Sequence, residues 1–194
     1  MDALRWRVFV SNLRGYFARN RRILISAFIV LTVGIIVGVI SCIRAVNGEF
    51  ERVARVDMEF SGAKIFFLSL LFLVVCYSLI LIAGINKKTA FIAIIPFFAL
   101  GFLIGKYSTC LIARYEFWGI LNLLLCYLPF FIVTLIAFII ATVNVLTACQ
   151  NPTENGLKPY LIPTLKVFGL NVLAGIVFFL IVGSIFGVIE IKLF

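Results

Sequence analysis

The residues of this chain that could carry out chemistry are few and lie far apart. The 194 residues include no histidine, which excludes a Ser-His catalytic pair and a histidine metal site. The cysteines form no C-x-x-C pair, and no glycine-rich loop with a phosphate-binding lysine is present. We therefore expect no enzymatic activity, no metal and no cofactor, and we interpret the cysteines as small apolar core residues. They are Cys42, Cys76, Cys110, Cys126 and Cys149.

Three asparagines lie within the apolar segments, Asn122, Asn144 and Asn171, and Glu190 directly follows the last segment. A buried amide without a partner costs free energy, so the asparagines are predicted to hydrogen-bond across helices. A pathway for a polar substrate is the alternative. Glu190 is either an acid exposed at the membrane interface or a functional intramembrane carboxylate.

Five apolar segments must position these residues. Hydrophobic residues make up 64% of the chain and charged residues 13%. About 20 helical residues cross the hydrocarbon core of a bilayer, and each segment is long enough. We predict an all-α polytopic transmembrane bundle of about five spans, with residues 23–194 forming a single domain. The segments are Ile23–Ile43, Ile65–Ile85, Thr89–Ala113, Phe117–Cys149 and Val167–Ile189.

The basic residues predict which way the chain crosses the membrane. Residues 1–22 read as a basic amphipathic helix on the cytoplasmic membrane surface, and a net charge of +9 fits lipid headgroups better than nucleic acid. An N-terminus inside the cell places ten Lys and Arg residues on the cytoplasmic side and seven outside. Five spans then place the C-terminus outside.

Paired glycines four residues apart occur on three of the spans. Such pairs present a flat helix face on which another backbone can approach closely. We interpret them as packing surfaces within the bundle, with a partner interface or a homo-oligomer as the alternative. The pairs are Gly34 and Gly38, Gly101 and Gly105, and Gly183 and Gly187.

Prolines and polar stretches predict the breaks between helices. Pro96 is expected to kink the third span, and Pro129 to break the long fourth segment, with a re-entrant piece or a sixth span as the consequence. Residues 44–64 are predicted to be a loop and residues 114–116 a polar break. The short turn at residues 86–88 makes spans two and three antiparallel neighbours.

Three stretches make the chain resemble the stage II sporulation protein M family of integral membrane proteins. They are the basic N-terminal segment leading into Ser26–Gly38, the glycine-containing stretch Phe97–Gly105, and the Leu-Pro step at Leu128 and Pro129. The ending at Glu190 is also similar to the last span of that family. The chain departs from the family in having Phe130 after the Leu-Pro step and no proline after Glu190.

The resemblance implies a non-enzymatic role in the bacterial cell membrane. In that family the protein anchors membrane-attached cell-wall hydrolases that remodel peptidoglycan during engulfment in endospore formation. This chain has no wall-hydrolysing domain within its sequence, which agrees with partners supplying the activity. The alternative is the membrane subunit of a transporter or permease, which the Pro129 segment and the internal asparagines motivate.

Overall fold

The computed structural model describes residues 20–58, 62–150 and 158–193, and these are almost entirely helical. They form five α-helices: α1 (Arg21–Met58), α2 (Gly62–Ala83), α3 (Ile95–Asn122), α4 (Leu128–Gln150) and α5 (Lys158–Leu193). A 3₁₀ helix, Lys87–Ile94, leads into α3, and a π-helical turn, Leu123–Tyr127, leads into α4. The predicted all-α class is confirmed. The proposed amphipathic segment at residues 1–22 lies outside the described residues except at its end.

The hydropathy of these helices makes the protein a membrane protein. Within the described residues, four stretches are long and apolar enough to cross a bilayer: Arg21–Arg44, Lys88–Ala113, Leu123–Thr147 and Leu161–Phe178. α2 contributes the apolar stretch Phe67–Ala83 among the residues whose side chains are described. Large apolar side chains on the outside of the bundle are exposed, as a lipid solvent requires.

One predicted interruption is helical, and that prediction was wrong: α1 continues through residues 44–58. Residues 114–116 are also helical, but the chain turns back between Tyr107 and Tyr127, so the predicted break between the third and fourth apolar segments lies in that region. Both segments are charged, but neither contains proline, and Glu51 and Arg55 have the i,i+4 spacing that favours a helix. A loss of hydrophobicity marks the end of a membrane-embedded segment and does not by itself end a helix.

Pro96 and Pro129 lie at the starts of α-helices. Pro96 is the second residue of α3, directly after the 3₁₀ helix, so the predicted kink within a continuous third span is replaced by a change of helix type. In the first turn of an α-helix the missing amide has no helical partner to lose. Pro129 is likewise the second residue of α4 and follows the π-helical turn.

Ring contacts show that α3 and α4 are antiparallel. Phe97 packs against Phe138 with ring centroids 6.2 Å apart, and Tyr107 stacks on Tyr127 at the same distance. The chain therefore reverses direction between Tyr107 and Tyr127. α4 has 23 residues, about 35 Å, which is long enough to cross a bilayer once.

Side-chain hydrogen bonds define the turn between α2 and α3. The Asn86 side chain accepts a bond from the Lys88 amide, and the Thr89 hydroxyl accepts one from the Asn86 amide, which together form a capping box. The Thr89 hydroxyl also lies 2.7 Å from the Asn86 carbonyl oxygen, to which it donates. This cap starts the 3₁₀ helix and returns the chain beside α2, as the polar turn predicted.

Candidate functional site

The first candidate site is the contact between α1 and α3, which four of the predicted glycines form. A Cβ added at Gly34 would lie 3.2 Å from the Cα of Gly101, and one at Gly105 would lie 3.1 Å from the Cα of Ile35. Increasing numbers on α1 meet increasing numbers on α3, so the two helices are parallel. One Cα–Cβ bond is about 1.5 Å long, so the Cα atoms of Gly34 and Gly101 are less than about 5 Å apart.

Backbone atoms line this contact. A Cβ at Gly34 would collide with the Phe98 carbonyl oxygen, one at Gly38 with that of Phe102, and one at Gly105 with that of Ile35. A rotamer change cannot move a carbonyl oxygen, so a larger residue would force the helices apart. The close approach also brings Cα–H groups near carbonyl oxygens, which adds weak attraction.

Two cysteines extend the α1–α3 contact toward the ends of both apolar segments. The sulfur atoms of Cys42 and Cys110 are 3.0 Å apart. Cys42 is buried and Cys110 is partly exposed. Cys42 follows Gly38 by four residues and therefore continues the stripe of Gly34 and Gly38. Sequence reasoning treated both residues as apolar core residues and missed their contact.

The second candidate site is a buried polar cluster, formed by Tyr77, Thr134 and Asn171 on α2, α4 and α5. The Thr134 hydroxyl donates to Asn171 Oδ1 at 3.3 Å, and Asn171 Nδ2 donates to the Tyr77 hydroxyl oxygen at 3.5 Å. All three residues are buried. Asn171 is a predicted intramembrane asparagine, and the predicted cross-helix hydrogen bonds are present for it.

Aromatic rings surround the polar cluster. Tyr77 packs edge-on against Phe138, with centroids 5.4 Å apart, and against Phe168 at 4.9 Å. Phe97 on α3 makes a third edge contact with Phe138. Edge-to-face rings of this kind attract one another in addition to filling space. The cluster is therefore flanked by phenylalanine rings from α3, α4 and α5.

A buried hydroxyl on α4 has no hydrogen-bond partner among the described residues. It belongs to Thr142, which is 2% exposed. The contacts of Thr134 with Asn171 and of Phe130 with Gly175 show that α4 and α5 are antiparallel. This register places Thr142 at the level of Thr164 and Pro163, where the proline interrupts the hydrogen bonds of α5.

Among the remaining predicted residues, those with described side chains do not join these two sites. Asn144 is half-buried on α4. Pro96 is buried at the start of α3, whereas Pro129 is exposed. The side chains of Asn122 and Glu190, and the surroundings of Gly183 and Gly187, are outside what the structure describes.

The described residues bring together hydroxyl, amide, thiol and aromatic groups. No group of three or more His, Cys, Asp or Glu side chains that could hold a metal ion occurs among them. The glycine contact and the polar cluster can both hold helices in register. Among these groups, the thiols of Cys42 and Cys110 are the ones that can undergo redox chemistry.

Comparisons of the chain with protein-family models, with curated proteins and with solved structures gave no match. The resemblance to the stage II sporulation protein M family therefore stays a prediction from the sequence.

Proposed function

We propose that the protein is a non-enzymatic membrane scaffold that anchors membrane-attached cell-wall hydrolases, as in engulfment during endospore formation. The observation that carries the proposal is the construction of α1. Its apolar part, Arg21–Arg44, packs closely against α3, and the helix then continues to Met58. The class of partner comes from the family resemblance.

Residues 45–58 extend α1 beyond its apolar part and form a docking arm. Fourteen helical residues span about 21 Å, which takes the arm well beyond the end of the apolar segment. The arm carries Glu49, Glu51, Arg52, Arg55 and Asp57 and is therefore rich in both signs of charge. Charged helix surfaces give specificity to protein contacts.

The α1–α3 contact holds the arm in place. Because the backbones meet at Gly34, Gly38, Gly101 and Gly105, α1 is fixed over two turns against α3. An arm that continues this helix keeps one position relative to the bundle, so little entropy is lost when a partner binds it. In the proposed orientation the N-terminus is in the cytoplasm of a bacterial cell, and the arm lies on the cell-wall side.

A crosslinked pull-down from native membranes tests the scaffold. We expect mass spectrometry to identify cell-wall hydrolases with the tagged wild-type chain and to recover several-fold less of them with the charge-reversed arm Glu51→Lys, Arg55→Glu. Lys88→Glu, in the turn at the other end of the bundle, is the matched control and should recover wild-type amounts. Peptidoglycan degradation by the purified protein alone, or equal recovery with all variants, would contradict the proposal.

A transporter subunit is the second candidate, and Thr142 is the observation that favours it. A buried hydroxyl without a partner among the described residues, close to the interrupted helix at Pro163, is the kind of polar position at which membrane transporters bind solutes. Recovery of a cytoplasmic ATPase in the same pull-down, or solute uptake by the protein in liposomes, would support this function and contradict the scaffold.

A further inference from the structure

The pair of cysteines at the end of the α1–α3 contact is a thiol pair placed for covalent bonding. The sulfur atoms of Cys42 and Cys110 are 3.0 Å apart although the residues are 68 positions apart in the chain. A disulfide bond is about 2.05 Å long and bridges Cα atoms about 4.4–6.8 Å apart. A movement of about 1 Å would therefore bring the sulfurs to bonding distance.

The packing of the two helices makes such a bond compatible with the fold. At the level of Ile35 and Gly105 the Cα atoms are less than about 5 Å apart, since a Cβ on Gly105 would be 3.1 Å from the Ile35 Cα. Cys42 follows Ile35 by two turns, and the contact between the sulfurs shows that the helices are still close there. At the level of Ile35 and Gly105 the backbones are therefore close enough for a disulfide to span.

The location of the pair gives a water-soluble oxidant a route to it. Cys42 is two residues from the end of the apolar segment Arg21–Arg44, and Cys110 is three residues from the end of Lys88–Ala113. Cys110 is partly exposed, whereas Cys42 is buried behind it. An oxidant that approaches from the membrane surface therefore reaches Cys110 first.

We propose that Cys42 and Cys110 form a redox site that closes to an intramolecular disulfide and locks α1 to α3. The oxidant is a disulfide compound, and the reaction is thiol–disulfide exchange. This inference is independent of the function proposed above.

The exchange balances with the groups present. The Cys110 thiol loses a proton, and its thiolate attacks the disulfide of the oxidant, which releases one thiol and leaves a mixed disulfide on Cys110. The Cys42 thiol then loses its proton and attacks the Cys110 sulfur, which releases the second thiol of the oxidant. Two protein thiols are oxidised to one disulfide, and one oxidant disulfide is reduced to two thiols.

Cys76 provides an internal comparison. It lies on α2 in the apolar core cluster with Leu73 and Ile80, and it is 2% exposed. Among the three cysteines whose side chains are described, the sulfur–sulfur contact joins Cys42 and Cys110 and does not include Cys76. If Cys42 and Cys110 become oxidised while Cys76 stays reduced, the cause is therefore the position of the pair and not general thiol reactivity.

The test uses the purified full-length chain, in detergent, across a series of ratios of reduced to oxidised glutathione. Samples are denatured in SDS with N-ethylmaleimide and analysed by intact-mass and peptide mass spectrometry. We expect all five cysteines to be alkylated under reducing conditions and two alkylations to be lost on oxidation, with one crosslinked peptide that joins Cys42 to Cys110. The oxidised chain should unfold at a higher temperature than the reduced chain.

Variants separate the pair from other thiols. Cys42→Ser and Cys110→Ser should each lose the crosslinked peptide and the shift in unfolding temperature, whereas Cys76→Ala should retain both. Alkylation of all five wild-type cysteines at the most oxidising ratio, or a glutathione adduct on Cys110 that persists, would overturn the proposal. These wild-type peptide maps decide the question even where a serine variant does not fold.

Discussion

Asn171 connects three helices through one side chain. Its amide accepts from Thr134 and donates to Tyr77, so α2, α4 and α5 meet in a single set of hydrogen bonds. Lipid tails are as apolar as leucine, so apolar side chains alone do not determine which helix faces pack together inside a membrane. A buried amide does, because only a few registers supply it with partners.

At the residue scale, Asn171→Leu is expected to destabilise the bundle by about 1 kcal/mol, because it removes two bonds that average about 0.6 kcal/mol each in membrane proteins. The free energy of unfolding in mixed detergent measures this. Ser78→Ala is the matched control, since the exposed Ser78 hydroxyl bonds the Val74 carbonyl of its own helix. A loss for Ser78→Ala as large as for Asn171→Leu would contradict the assigned role of Asn171.

Thr134→Ala should have a smaller effect than Asn171→Leu. It removes one of the two bonds, and the remaining Asn171 amide still donates to the Tyr77 hydroxyl. We expect a loss of about 0.5 kcal/mol in the same unfolding measurement. A loss that equals or exceeds that of Asn171→Leu would place the important interaction at Thr134 instead.

At the scale of helices, the glycines of the protein differ sharply in their surroundings. A Cβ at Gly105 would collide with a backbone carbonyl, one at Gly175 would lie 3.3 Å from the Phe130 ring, and one at Gly169 would meet no atom within 4 Å. Backbone cannot move aside, a ring can shift slightly, and open space needs no adjustment. The space available for a new methyl group therefore increases from Gly105 to Gly175 to Gly169.

Alanine substitutions at these glycines are expected to follow that order. Gly105→Ala should destabilise the protein by about 1–3 kcal/mol, since overpacking separates α1 from α3. Gly175→Ala should cost less, and the control Gly169→Ala should leave stability within about 0.5 kcal/mol of the wild type. Unfolding free energies of the three variants test the series, and equal losses at Gly105 and Gly169 would show that α1 and α3 do not pack through their backbones.

The continuity of the helices does not follow from hydropathy alone. Residues 44–64 are predicted to be a loop because they are charged, yet α1 continues to Met58 and α2 begins at Gly62. Hydropathy indicates where a helix leaves the hydrocarbon. The end of a helix depends on caps, glycine and proline, and the capping box at Asn86 and Thr89 shows such a signal read correctly.

For the whole molecule, the packing directions predict a topology. α1 is parallel to α3, α4 is antiparallel to α3, and α5 is antiparallel to α4. α2 runs opposite to α3, because the two are joined by the capped turn and Phe138 contacts both Tyr77 and Phe97. The two ends of the described chain therefore lie on opposite sides of the bundle.

Compartment-specific reporters fused at chosen positions test this arrangement. Fusions after Phe60 and at the C-terminus should report one compartment, and fusions after Asn86 and Asn155 the other. The excess of Lys and Arg on the N-terminal side further predicts that the first pair is outside the cytoplasm. A C-terminal reporter in the same compartment as Asn86 would rule out five alternating crossings.

The sequence by itself determined that the protein lies in a membrane, that it is helical and that the chain turns at Asn86. Hydropathy and helix capping are local properties of the chain and can be read without the fold. The sequence also supplied the glycine pairs and the buried asparagine as candidates. Only the tertiary structure decided that Gly34 and Gly38 face Gly101 and Gly105, and that Cys42 meets Cys110. Those contacts depend on the register between segments about 67 residues apart. Backbone shape and hydrogen-bond partners fix this register, whereas apolar composition alone is compatible with several registers.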